Sequence, residues 1–268
     1  MSATQMGGVP ATGAASDLTL VLPGRGLPAG DGWTWIAQGW NLFTRAPLMW
    51  IVAILIVLVA AIVIGLVPFI GSIAFQILNA TISAGFIVAC RSLERGGDFE
   101  LEHLFAGFKT NFGNLLIVGL LLLAGYIVIF LVFMAFAGFT IVTAAMAGHS
   151  KDVASMIMAS SATILLGTLV ALALMVPLLA AYWFAPALVV MHGMGPVAAM
   201  KESFFACFRN FVPFLVYGIV MTVFCVLAAI PFGLGFLVWV PLAIASTYAA
   251  YRGIFTEDGA PTQPAPTV

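Results

Sequence analysis

Long uncharged runs alternate along this chain with shorter aromatic and polar stretches, and that alternation predicts its elements. Residues 48–67 carry no charge and almost no polar atom. About 20 residues at ~1.5 Å each cross a hydrocarbon core of roughly 30 Å. Pro68 and Gly71 mark a tight turn, and residues 69–90 return across the bilayer. Residues 115–139 and 161–191 form the third and fourth spans. The fourth exceeds what a bilayer needs and contains Pro177 and Pro186, so it is kinked or tilted. Residues 211–230 and 234–251 form the fifth and sixth spans, joined by a turn at Pro231, Gly233 and Gly235, with Pro241 inside the sixth. The fold class is all-α: a polytopic membrane protein with six transmembrane helices.

A shorter amphipathic stretch precedes each hairpin. In the first, Trp33, Ile36, Trp40 and Phe43 recur at helical spacing, which suits a helix lying in the headgroup layer. Pro47 then starts the first span. In the second, Gly96-Gly97 breaks the preceding helix. Asp98 is placed to cap the next, with Glu100 and Glu102 in its first turn. Leu101, Leu104, Phe105 and Phe108 form its apolar face, and Lys109 ends it. Residues 197–209 form the third such helix, ending in Phe208 and Arg209. The returning spans match as well: Arg91, His192 and Arg252 each follow one. These correspondences divide a membrane domain at residues 32–256 into three parallel hairpin repeats, about 33–95, 98–193 and 197–253. The flanking residues, 1–31 and 257–268, are small, polar and rich in Gly, Ala and Pro, and read as disordered tails.

Composition places all of this in lipid. The chain is 63% hydrophobic and 7% charged, whereas soluble domains carry about 25% charged residues. A net charge of -1 argues against nucleic acid as a partner. Three cysteines without a C-x-x-C pair point to free, packed thiols. The first residues lack the basic and apolar regions of a cleaved signal, so the first span serves as its own insertion signal. Of the nine Lys and Arg, Lys151 alone falls on the far side of a six-span arrangement. The positive-inside rule then puts both termini in the cytoplasm.

Candidate chemistry is sparse. Gln76, Asn79 and Ser83 share one face of the second span. Amides are costly in hydrocarbon, so they face protein or a water-filled cavity. They either line a solute path with Pro186 and Pro241 as kinks, or bond neighbouring helices; Ala80 and Ala84 favour the latter. No ionisable residue lies inside a predicted span, which argues against proton-coupled transport and intramembrane proteolysis. Catalytic signatures are absent from the sequence, and Glu94, Asp98, Glu102 and His103 show no metal-ligand spacing. The leading expectation is a non-enzymatic protein, without cofactor or metal, that organises membrane lipid or a partner protein, with a second copy of the chain as another candidate partner. Trp33, Trp40, Phe43, Arg45, Phe108, Lys109, Phe208 and Arg209 supply its headgroup contacts. The alternative is a channel or carrier for a neutral or apolar solute. A third reading is an enzyme at the cytoplasmic face, for which Glu102 and His103 offer the only start.

The opening Gly39-Trp40-x-Leu42-Phe43-x-x-x-Pro47-x-x-Trp50, the Pro68-x-x-Gly71 turn and the Leu104-Phe105-Ala106-Gly107-Phe108 lead-in resemble a family of uncharacterised proteobacterial inner-membrane proteins. The resemblance covers residues 33–252 and implies six helices in an inner membrane. It brings no catalytic or binding residue. More distantly, the hairpin pattern is similar to the membrane domain of some glycerophosphodiester phosphodiesterases, which bears on architecture alone.

Overall fold

A computed structural model describes residues 18–68, 70–146 and 153–257. It is all-α. Helix α1 (Asp31–Arg45) leads into α2 (Pro47–Gly65), and α3 (Ile70–Glu94) returns. A 3-10 turn (Leu101–Phe105) and the single-turn α4 (Ala106–Lys109) lead into α5 (Phe112–Met146). Helices α6 (Val153–Trp183) and α7 (Ala185–His192) return. Helix α8 (Pro196–Arg209) leads into α9 (Phe211–Ala229), and α10 (Phe236–Phe255) closes the bundle. Among the described residues, five segments are long and apolar enough to cross a membrane: Pro47–Gly65, Ile70–Glu94, Phe112–Phe139, Ser161–His192 and Phe211–Ala229. Lys151, the cation expected on the far side, lies outside the described residues.

The predicted sixth span is not in that set, for a physical reason. Ser246, Thr247, Tyr248, Tyr251 and Arg252 dilute the apolar character of α10. They are tolerated because α10 sits within the bundle: Leu242, Ala245, Ser246, Tyr248, Ala249 and Tyr251 are all buried. Helix α3 is similarly central, with 44% of its apolar window buried, whereas α2 has 11% buried and meets the surroundings along most of its length.

Each lead-in segment rests on the returning helix of another hairpin. Helix α1 lies on α10 so closely that a Cβ on Gly39 would stand 2.5 Å from Ser246 Oγ. The turn before α5 lies on α3, where a Cβ on Gly107 would stand 2.3 Å from the Thr81 carbonyl. Helix α8 lies on α6 through Ser203, whose hydroxyl donates to the Ala180 carbonyl at 2.6 Å and accepts the Phe184 N–H at 2.9 Å. That hydroxyl is inserted into the i→i−4 ladder of α6, and Pro186 has no N–H for the Tyr182 carbonyl. The two effects together divide the fourth span into α6 and α7 at Phe184.

Three details depart from the pattern-based expectation. Asp98 does not cap the second lead-in: Glu100 does, in a reciprocal capping box in which its backbone N–H donates to His103 Nδ1 at 3.1 Å. The continuous helix expected there is a 3-10 turn plus one α turn, because Leu104 and Gly107 must follow the surface of α3. Residues 18–30 are not a loose tail. The Val21 and Arg25 N–H groups donate to the Phe255 and Ile254 carbonyls, both at 2.8 Å, and Leu18 is buried. The Asn210 side chain fixes the same segment from below, accepting from the Leu27 N–H and donating to the Arg25 carbonyl.

Candidate functional site: a neutral cavity above a charged cluster

A cavity of about 690 Å³ opens between α2, α3, α5, the α6–α7 break and α10. Its polar wall is the face of α3 that carries Gln76, Asn79 and Ser83. The Ser83 hydroxyl donates to Asn79 Oδ1 at 3.2 Å within α3. Among the described residues neither amide bonds another helix, while Ser83 meets the Tyr182 hydroxyl of α6. Tyr126, Tyr182 and Thr247 face them from α5, α6 and α10. The Tyr182 hydroxyl, beside Ser83, is buried and completes no hydrogen bond of ordinary geometry. Pro186 lines the cavity as expected. Pro241 does not: it is buried inside α10, and Val240 and Ile244 line the cavity instead. The remaining wall is aliphatic and aromatic, and among the described residues no Asp, Glu, Lys, Arg or His borders it.

About three turns beyond Ser83 along α3, α3 and α10 converge on one carboxylate, with α7 alongside. Glu94 Oε2 accepts from Arg91 Nη1 at 2.9 Å and from the Tyr248 hydroxyl at 2.6 Å, and its Oε1 pairs with Arg252. His192 Nε2 and the Tyr251 hydroxyl are 2.7 Å apart beside it. Arg91, Tyr248 and Tyr251 are buried. The recurrence of Arg91, His192 and Arg252 after the returning spans was the signal for this cluster. Placing Glu94 at a solvated hairpin end hides it, because α3 continues through Glu94 and carries the carboxylate into the bundle.

The lead-in residues divide into two groups. Trp33, Trp40, Phe108 and Phe208 are exposed, as headgroup contacts require. Phe43 is buried at 6% exposure and belongs to the core. The cations are exposed but also engaged within the chain. Arg45 Nη1 donates to the Leu93 carbonyl at 2.7 Å, Lys109 pairs with Glu102, and Arg209 donates to the Gly24 carbonyl. Lys109 holds the Glu102 carboxyl below its ordinary range. Trp35, absent from the exposed stripe, is buried at 2% and packs on Phe214 and Tyr217. Among the described residues no group of three His, Cys, Asp or Glu is placed to hold a metal ion.

No family model matches the chain, and no solved structure matches it. A protein of Burkholderia thailandensis, described as a probable inner membrane protein, is 32% identical over 264 residues, covering 89% of this chain and 96% of its own. The chain belongs to the same family as this Burkholderia protein and is a multi-pass protein of the inner membrane.

Proposed function

We propose that the protein is a non-enzymatic lipid-binding protein that holds an uncharged amphiphile in the cavity between its hairpins. The observation that carries this reading is the cavity itself. Its volume of about 690 Å³ falls in the range of about 300–1,000 Å³ common for small-molecule sites. A charged headgroup has no counter-ion on its wall, and burying one unpaired is costly. An alcohol, ester or glyceride has partners: the Gln76 and Asn79 amides, the Ser83 hydroxyl and the unsatisfied Tyr182 hydroxyl. A hydrocarbon tail finds apolar wall everywhere else.

The surrounding architecture is read as six crossings in three hairpins with both termini in the cytoplasm. Support for α10 as the sixth comes from its 20 residues and its pairing with α9. Support for three copies comes from the shared end of each lead-in on Arg45, Lys109 or Arg209, and from Arg91, His192 and Arg252 each standing in the last turn of a returning helix. The cluster on Glu94 then acts as a floor that ties α3 to α10 beneath the cavity. Exposed Trp33, Trp40, Phe108 and Phe208 seat the cation face at the headgroup layer.

Native mass spectrometry of the purified full chain tests the assignment. One uncharged lipid-like adduct per chain is expected, depleted in Asn79→Leu and in the double variant Gln76→Leu/Ser83→Ala. Equal occupancy in all three proteins would count against it. A carrier for a neutral solute is the second reading, favoured by the broken α6–α7 segment on the cavity wall. It predicts solute flux in vesicles that Asn79→Leu abolishes.

A further inference from the structure

A second cavity, of about 440 Å³, lies in the seam between the end of α6 and the α9–α10 hairpin. Trp183, Ile244 and Thr247 border both cavities, so these three side chains form the partition between them. Trp183 is the last residue of α6, at the interrupted hydrogen-bond ladder, and is 37% exposed. Its ring meets two others edge-on: Phe214 at 5.8 Å and Tyr217 at 6.4 Å, both near perpendicular. The opposite wall is fixed more firmly, since Trp239 Nε1 donates to the Met221 carbonyl at 3.0 Å and joins α10 to α9.

We propose that this seam is a lateral portal through which the tail of the bound amphiphile passes from the bilayer into the inner cavity, with Trp183 as its gate. The proposal rests on the lipid-binding reading above. The occupant follows from the chemistry of the seam. Met221, Cys225 and Val226 are apolar, and the three hydroxyls present are already donated, that of Tyr217 to the Ala243 carbonyl at 3.5 Å. Thr222 donates to the Gly218 carbonyl at 2.7 Å and Thr247 to the Ala243 carbonyl at 2.9 Å. A polar solute finds few free partners there, whereas a hydrocarbon chain needs none. The Gln76 and Asn79 amides and the Tyr182 hydroxyl lie beyond the partition, on the inner cavity, so head and tail are sorted to its two sides. Broken at Phe184, the backbone beside Trp183 gives the ring freedom to swing without unwinding α6 further.

The test uses full-length protein in nanodiscs of phosphatidylethanolamine and phosphatidylglycerol, with a monoacylglycerol carrying a mid-chain diazirine as the probe. Photolabelled peptides are mapped by mass spectrometry against time of exposure. The portal predicts label on α3 and on the 218–225 stretch of α9. Gly218 lines the seam, and a Cβ there meets nothing within 4 Å. Gly218→Leu therefore fills the portal without strain, and the half-time for labelling α3 rises about tenfold, equivalent to about 1.4 kcal/mol of barrier. Trp183→Ala shortens it and Trp183→Phe restores it. Gly113→Leu, equally open but at the start of α5, leaves it alone. Label on α3 with an unchanged half-time in Gly218→Leu overturns the portal and leaves the cavity reading standing. Absence of label on α3 in the wild-type chain overturns both.

Discussion

Replacing Glu94 by Gln removes the one carboxylate that Arg91, Arg252 and Tyr248 share, and its cost follows from their burial. The Arg91 side chain is 11% exposed, Arg252 22% and Glu94 21%. Removing one partner of a fully buried ion pair costs about 3–5 kcal/mol, because the other charge is left uncompensated. Partial exposure of Glu94 and Arg252 lets water screen part of that cost, so about 2–4 kcal/mol is expected. Tyr248→Phe removes a single hydrogen bond to a charged acceptor and is expected to cost about 1.5–3 kcal/mol. The assay is reversible unfolding by SDS in mixed micelles, followed by tryptophan fluorescence. Coupling is the sharper readout. In an Arg252→Met background, one cation is already gone, and Glu94→Gln should cost less by about 1–2 kcal/mol. A change below about 0.5 kcal/mol in Glu94→Gln, within the range of ordinary surface substitutions, would refute the idea of a central charged floor, as would strict additivity in the double variant.

Other consequences follow from particular contacts. Gly39→Val drives side-chain atoms into Ser246 and should separate α1 from α10, costing at least the ~1–3 kcal/mol of ordinary overpacking in the same assay. The Cys207 thiol is pushed up from 9.0 to about 12 by burial, with Ser203 pulling the other way. It should therefore resist maleimide at pH 8 until the chain unfolds. Because the folded thiol holds its proton longer than the unfolded one, stability should fall as pH rises from 9.0 toward about 12, and Cys207→Ala should lose that slope. A reporter active only outside the cytoplasm, fused after Tyr251, should stay silent; activity would reverse the orientation.

The apolar runs made the membrane helices legible, since hydropathy over about 20 residues needs no tertiary information. Their ends were less so. Helix α5 starts at Phe112 and α10 runs to Phe255, both past the predicted limits; at the end of α10, burial of Ile254 and Phe255 sustains the helix beyond its apolar run. The face of α1 shows where pattern reading misleads. Counting aromatics selects Trp33, Ile36, Trp40 and Phe43, but the buried stripe is Gly32, Trp35, Ile36, Gly39, Leu42 and Phe43. Glycine at 32 and 39 was the overlooked signal for close packing. The Gln76, Asn79 and Ser83 wall was readable from helical spacing alone. The residues opposite it were not, because Tyr126, Tyr182 and Thr247 come from helices whose adjacency depends on the whole bundle. Nor could spacing show that Ser203 would enter the ladder of α6 and cut it at Phe184.

A structure of the full chain in lipid nanodiscs decides whether the cavity holds an amphiphile. Elongated density is expected there, with its polar end within hydrogen-bonding distance of Asn79, Ser83 or the Tyr182 hydroxyl and its tail running past Trp183. A cavity collapsed by direct contact between α2 and α6, or one holding ordered water alone, would contradict that expectation.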